Sequence, residues 1–378
     1  MWRTVSLGEV CTISSSKRIF ANEYQSVGIP FYRGKEIIEK HNGNNITTEL
    51  FISQERYEEI RKKYDVPKKG DILLTSVGTL GVPWLVDEEN FYFKDGNLTW
   101  FRCNSELLPD YLYFWFHSFE AKTQIDSRFI GSTQKALTID SLKKFRITIP
   151  PIDLQKKIIS VIRPLEQQII INRSINENLE CQISTLYKSW FEDFELNGGV
   201  CPEKWKNQKF SLIANFSNGK RPSIKDKKLT KNTPYPIIGA ASVMGFTSNF
   251  NHTDKILVIG RVGTHGIVQR FNIPCWVSDN AITIKSNFYE FTHQVLKRID
   301  YSSLNRGSTQ PLITQSDLKK VNILVPDIKS LEKFENIAGT LMNQWEVRQQ
   351  ENIKLSILRD TLLTKLISGE IDVSSISI

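Results

Sequence analysis

"GSTQKALTIDSLKKFRITIPP" spans Gly131–Pro151, and "GSTQPLITQSDLKKVNILVP" spans Gly307–Pro326. Each reads G-S-T-Q, then a threonine, then L-K-K, then a β-branched run stopped by proline. The second copy begins 176 residues after the first. Recurrence at nearly half the chain length signals a duplicated module rather than a short solenoid repeat. The repeat extends outward from this pair. "WRTVSLGEVCTISSSKR" (Trp2–Arg18) aligns without gaps on "WKNQKFSLIANFSNGKR" (Trp205–Arg221). "DILLTSVGTLG" (Asp71–Gly81) matches "KILVIGRVGTHG" (Lys255–Gly266) with one inserted residue. The order of these blocks is the same in both halves.

Each module reads as two parts. Short β-rich runs such as "ILLTSV", "NLTWFRC", "KILVIG" and "AITIK", punctuated by Gly, Pro and Asn, indicate a mixed α/β globule with much irregular loop. A long helix follows. After Pro151, apolar residues fall at Ile158, Ile162, Leu165, Ile169, Ile175, Leu179, Ile183, Leu186 and Trp190. Steps of three and four are what a coiled-coil seam requires. Asn172 stands where one more apolar residue is expected, as a register-fixing polar residue or a solvated gap in the seam. Pro164 is expected to kink this helix or begin a second segment of it. The second module ends in the same pattern: Leu331, Phe334, Ala338, Leu341, Trp345, Leu355, Leu358 and Leu362, interrupted at Arg348 and Asn352. Gly369 in "SGE" supplies the stop. One stripe on each helix predicts an antiparallel pair with a globule at either end. The expected class is α+β, with two mixed α/β domains separated by two long antiparallel coiled-coil helices and an internal pseudo-twofold duplication. The expected divisions are 1–150 and 197–326 for the globules, and 151–196 and 327–378 for the helices and C-terminal tail.

Composition removes several classes. Hydrophobic content of 40% with 11% aromatics is that of an ordinary globular protein. No apolar run approaches the roughly 18 residues of a membrane span, and "MWRTVSLGEV" is not a signal sequence, so no membrane partner is expected. The five cysteines are scattered, odd in number and without a C-x-x-C pair. That argues against a zinc ribbon or disulfide framework and fits a reducing cytosol. Net charge is +8, unevenly spread. Residues 1–150 carry 20 Lys and Arg against 19 Asp and Glu, whereas residues 201–326 carry 18 against 7, a net of +11. A basic block of that density points to a polyanion such as nucleic acid.

At this point the chain resembles the DNA-specificity subunits of type I restriction–modification systems, over nearly its whole length. The marks are "GSTQKALTIDSLKKFRITIPP", "LECQISTLYKSWFEDFE" closing the first helix, "YPIIGAASVMGF" and "ILVIGRVGTHGIV" in the second module, and "LRDTLLTKLISGEI" near the end. No single mark is specific; their order and duplication are. The resemblance implies two target-recognition domains, each reading one half of a split site in double-stranded DNA. It also implies two conserved helical regions that dock two modification (methyltransferase) subunits, through which restriction subunits attach. Pro164 departs from the uninterrupted helix of the family. Outside restriction–modification, the alternative is a non-catalytic coiled-coil scaffold binding DNA or protein.

Candidate contacts follow from chemistry and position. Lys17, Arg18, Lys220 and Arg221 sit at matching places and suit phosphates. Arg33, Lys35, Arg128, Arg261 and Arg306 suit guanine edges, where a bidentate fork discriminates. Ser132, Thr133 and Gln134, with Ser308, Thr309 and Gln310, offer short donors near a turn. Ser76, Thr79, Thr264 and His265 lie in the matched "VGT" segments. The bland reading gives the Ser and Thr residues to turns and to capping the short "DSLKK" helix, and leaves the cations and His265 as solvated surface.

Catalytic motifs are wanting. Pro109-Asp110 with "EAK" at Glu120–Lys122 imitates a nuclease string, but "PDYLYFWFHSFEAK" reads as one aromatic-rich amphipathic helix, not converging strand ends. The G-x-x-G of Gly78–Gly81 and Gly263–Gly266 resembles an RNA-binding loop that joins helices, yet here it follows strands, so a hairpin turn is expected. "IPPI" lacks the polar first residue of a methyltransferase motif, and neither a Walker motif nor a glycine-rich cofactor loop occurs. No catalytic residue, metal or cofactor is therefore expected.

Overall fold

The structure, a computed structural model, describes residues 2–44, 46, 48–87, 90–127, 136–262, 266–304 and 312–376. Contacts divide the chain into two units, Met1–Glu177 with Glu346–Ile378, and Asn178–Trp345. Four helices organise them: α1 (Pro109–His117), α2 (Ile152–Phe191), α3 (Tyr289–Arg298) and α4 (Ile328–Ile367). The division runs through α2 and α4, so each unit holds one globule and part of both long helices.

The duplication read from the sequence is repeated in the strand order. The first unit has a four-stranded antiparallel sheet in the order Cys11–Ser14, Leu98–Cys103, Ile72–Thr75, Pro83–Leu85. The second has Asn215–Asn218, Ala281–Lys285, Ile256–Gly260, Val268–Phe271 in the corresponding places. Each unit adds a three-stranded sheet with one parallel pair: Ile29–Tyr32 beside Tyr92–Phe93, and Tyr235–Ile238 beside Trp276–Val277. Each closes with a two-stranded ribbon, Arg3–Ser6 against Arg146–Ile149 and Lys206–Lys209 against Asn322–Val325.

Alternation fixes which side chains face which layer. Ile72 and Leu74 join the core around Tyr111, Trp115 and Phe116 of α1, while Leu73 points to the opposite cluster with Trp84 and Trp100. Likewise Leu257 and Ile259 face the α3 side, and Ile256 and Val258 the other. Strands covered on both faces read as unbroken apolar runs, which is why "ILLT" and "ILVI" show no polar alternation.

The aromatic stretch beginning at Pro109 is two helices rather than one. α1 stops at Ser118, whose backbone is extended and whose hydroxyl accepts from Ala121 N–H to start Phe119–Asp126. A serine that caps a new helix competes with continuing the old one.

Both long helices run 40 residues. Pro164 does not start a new segment; α2 continues through it. Proline leaves the carbonyl four residues back without its donor, but Pro164 lies on the exposed face, where water can take that place. The buried seam differs in part from the apolar spacing. Ile158, Ile162, Ile169, Leu179 and Ile183 are buried as expected. Leu165, Ile175 and Leu186 are only half-buried, and their neighbours Glu166, Asn176 and Tyr187 take the inward places. On α4, Leu341, Trp345, Leu355 and Leu362 are half-buried, Leu358 is exposed, and Arg359 and Leu363 face inward. The seam is a seven-residue repeat: Gln155, Ile162, Ile169, Asn176, Ile183, Trp190 on α2, and Leu331, Ala338, Trp345, Asn352, Arg359, Leu366 on α4. Polar residues hold several of these positions, so counting apolar residues alone slips by one.

Within the first unit the helices are antiparallel, and their polar seam residues bond. Asn172 Nδ2 donates to Asn352 Oδ1 (3.0 Å) and Glu351 Oε2 (2.9 Å), and Asn352 Nδ2 donates to the Ile169 carbonyl. Asn172 is thus a paired polar contact, the arrangement that fixes register, not a gap. Arg359 donates to buried Glu166 (2.5 Å). Burial raises the Glu166 carboxyl, but the Arg359 guanidinium brings it below its ordinary value. In the second unit Phe334 of α4 packs edge-on against Tyr187, Trp190 and Phe191 of α2.

The long helices also hold the globules by capping their helices. Gln155 of α2 accepts from Leu108 N–H ahead of α1 and donates to the carbonyls of Glu106 and Pro150. Glu335 of α4 accepts from the N–H groups of Glu290 and Phe291 in the first turn of α3. Such groups satisfy amides that no helix can bond internally. Among the described residues no helix is long and apolar enough to cross a membrane.

Candidate nucleic-acid interface

In both units, the two repeated segments meet at the end of the four-stranded sheet. In the first, Ser76 N–H donates to the Asn97 carbonyl, Leu137 N–H donates to the Ser76 carbonyl, and Val77 bridges Ala136. In the second, Arg261 N–H donates to the Asn280 carbonyl, Ile313 N–H donates to the Arg261 carbonyl, and Val262 bridges Leu312. The residues entering the "VGT" segment and those following the "GSTQ" segment are thus tied together by the same bonds twice. The G-x-x-G of Gly78–Gly81 lies between antiparallel strands, as a hairpin turn does, whereas Gly263 lies outside the described residues. Arg128, Ser132, Thr133, Gln134, Thr264, His265, Arg306, Ser308, Thr309 and Gln310 lie outside the described residues. The caps of the short "DSLKK" helices are Thr138 and Thr314, just downstream of them.

The Lys-Arg pairs flank the same sheet end. Lys17 N–H donates to the Tyr92 hydroxyl, while Lys220 N–H donates to the Val277 carbonyl and Trp276 Nε1 donates to the Lys220 carbonyl. Glycine is required just before Lys220: a Cβ on Gly219 would stand 2.0 Å from the Ser278 carbonyl oxygen. That close approach sets where Lys220 and Arg221 emerge.

The first-unit candidates are mostly committed internally. Arg18 is ion-paired with Asp95 (2.8 Å), Arg33 with buried Glu36 (2.8 Å) and Lys35 with Glu39 (3.6 Å), while the Lys17 ammonium lies over the Tyr64 ring. Burial raises the Glu36 carboxyl, but bonds from the Arg33 side chain and backbone hold it below the usual range. Ser76 is buried, its hydroxyl 2.6 Å from that of Thr99, so it serves the sheet; Thr79 is exposed. In the second unit, Lys220, Arg221, Lys225, Lys227, Lys228 and Lys231 are exposed, and none has an ion-pair partner among the described residues. Arg261 is half-buried and its Nε has no acceptor among the described residues.

Sequence reasoning missed the acids beside these cations. Asp95 and Asp279 follow equivalent strands, Tyr92–Phe93 and Trp276–Val277, in "YFKDGN" and "WVSDNA". Aligning those short runs would have revealed them. The nuclease-like string does not converge: Asp110 pairs with Arg163, and Glu120 accepts from Trp115 Nε1. Among the described residues no group of three His, Cys, Asp or Glu could hold a metal ion.

The family model for the type I restriction modification DNA specificity domain matches residues 1–181 and 202–355. A Haemophilus influenzae protein, provisionally named as a type I restriction enzyme specificity subunit, is 35% identical over 192 residues, covering 50% of this chain and 46% of its own length. The chain therefore matches only about half of that relative. The MjaIX specificity subunit of Methanocaldococcus jannaschii is 25% identical over 360 residues, covering 82% of this chain and 79% of that one. Among solved structures, a type I restriction–modification system S subunit from M. genitalium shares the fold, with a TM-score of 0.55 and 17% identity, covering 97% of this chain and 96% of that one. With two segments of the family model matched over most of its length, the chain belongs to the type I restriction–modification specificity-subunit family.

Proposed function

We propose that the chain is the non-catalytic DNA-reading subunit of a type I restriction–modification complex. The globules of residues 1–150 and 197–326 each read one half of a bipartite site in double-stranded DNA. The helices of residues 151–196 and 327–378 serve as the spacer and dock two modification subunits, which carry the restriction subunits. The observation that carries this reading is the twice-built sheet end, where the residues entering each "VGT" segment and those following each "GSTQ" segment are joined by equivalent backbone bonds, with a Lys-Arg pair nearby. Two readers need two such surfaces, whereas an active site needs only one. The unpaired lysines of the second unit support a phosphate-bearing partner over a protein-only scaffold. Val347, Ile353, Ile357 and Leu358, exposed on α4, support a docked protein on the helices.

Assays of the purified chain alone and with its modification subunit test this. The chain alone should neither methylate nor cut DNA. Adding the modification subunit should give methylation dependent on S-adenosylmethionine at a bipartite sequence. Turnover by the isolated chain that survives repurification would contradict the proposal.

A further inference from the structure

The two units treat one arginine and one aspartate differently. Arg18 and Arg221 end the aligned blocks Trp2–Arg18 and Trp205–Arg221, and Asp95 and Asp279 follow equivalent strands. In the first unit the pair is closed, Arg18 Nε lying 2.8 Å from Asp95 Oδ2. In the second, Arg221 and Asp279 make no ion pair among the described residues and instead both line a cleft of about 580 Å³, together with Lys225, Met244, Ser278 and Asn280. The cleft floor is held by backbone: Gly219 N–H bonds the Ala281 carbonyl, and Ala281 N–H bonds the Ser278 carbonyl.

We infer that this cleft reads a guanine–cytosine base pair, with Arg221 addressing guanine and Asp279 addressing cytosine. This rests on the DNA-reading function proposed above and adds a base identity and two residues to it. A guanidinium fork supplies two parallel donors that match O6 and N7 of guanine in the major groove. A carboxylate is an acceptor only, and cytosine N4 offers the donor it needs. An arginine and an aspartate held in one cleft but not bonded to each other therefore present the complement of that pair. In the first unit the ion pair consumes the same groups, so the first reader is not expected to use them this way. The cleft also separates Arg221 from Lys220, whose side chain does not line it and which keeps the phosphate role.

Selection from randomised duplex DNA by the complete complex tests this. The chains compared are wild type, Arg221→Ala and Asp279→Ala, each assembled with its modification subunits. Wild type should select a bipartite site with an invariant guanine–cytosine pair in one half. Both variants should lose about 10- to 100-fold discrimination at that one pair and keep the rest of the site. The unaltered half-site, read by the same molecule, reports that the variants are folded. Loss of affinity for all sequences equally, or an unchanged preference, would overturn the cleft assignment while leaving the DNA-reading function intact. A wild-type complex that selects no bipartite site would overturn both.

Discussion

The two units share one set of sheets but spend their charges differently. At the sheet end, the first neutralises its candidate contact residues at home: Arg18 on Asp95, Arg33 on Glu36, Lys35 on Glu39. The second leaves six basic residues between Lys220 and Lys231 exposed without an ion-pair partner among the described residues. Their helix seams differ too. The first unit adds the Asn172–Asn352 and Glu166–Arg359 bonds to an apolar cluster that includes Ile162 and Leu363; the second is joined by Tyr187, Trp190, Phe191 and Phe334. A duplicated frame keeps its backbone bonds while its side chains are free to diverge, and that freedom lets one fold hold two recognition chemistries.

The seams allow the comparison to be broken hardest. Phe334→Ala in the second unit should cost about 3–5 kcal/mol, since a fully buried ring leaves a cavity among other rings. Arg359→Ala in the first should cost a similar 3–5 kcal/mol, because Glu166 would be left buried and unpaired. The difference appears in the repair. Replacing Arg359 and Glu166 together by Leu should recover most of the loss in a denaturant titration, as apolar isosteres of buried ion pairs do. No such rescue exists for Phe334. If the double replacement is as damaging as the single, the ion pair stabilises the first unit in its own right.

Charge sharpens the contrast at lower energy. Lys225, Lys227 and Lys228 changed together to Ala should reduce the log–log salt slope of DNA binding by up to about 2.7, at roughly 0.9 per phosphate contact. Arg18 and Lys35 changed to Ala should alter it far less, their charges being already neutralised. Equal effects from the two sets would erase the distinction.

The smallest effect is a pH dependence carried by one carboxyl of the second unit. Burial pushes the Glu335 carboxyl up to about 7, against the amide bonds from Phe291 and Glu290. A carboxyl raised in the folded state stabilises while protonated. Its contribution is complete below the ordinary value of 4.5 and is lost as pH rises through about 7. Melting of wild type should therefore fall relative to Glu335→Gln across that window. A constant difference between the two proteins would show that Glu335 does not titrate there. Glu166, held below its ordinary value by Arg359, acts in the opposite sense, its contribution being lost as pH falls.

The large features were legible because they rest on periodicity and repetition. Duplication showed as matched blocks, the long helices as steps of three and four, and the hairpins as glycines between apolar runs. What escaped was set by partners distant in sequence. Ser76 looks like a donor until Thr99 takes its hydroxyl across the sheet, and Arg33 looks like a base reader until Glu36 folds onto it. The seam slipped by one at Leu165, Ile175 and Leu358 because Glu166, Asn176 and Arg359, all polar, occupy the inward positions. Their burial becomes intelligible only when the facing helix supplies bonds. Arg221 and Arg18 are the same residue in the same motif, each with an aspartate nearby; only whether that pair is closed separates their roles.

In the proposed function the helix pair spaces two readers of DNA. Duplicating one heptad in each long helix, Asn176–Gln182 in α2 and Gly339–Trp345 in α4, keeps the seven-residue seam in phase. Seven residues add about 10 Å of rise, or about three base pairs of duplex. Mapping the methylated sites of cells expressing this variant with its partner subunits should show both original half-sites, unchanged, with a spacer longer by about three base pairs. An unchanged spacer at full activity, or a change within either half-site, would contradict the account.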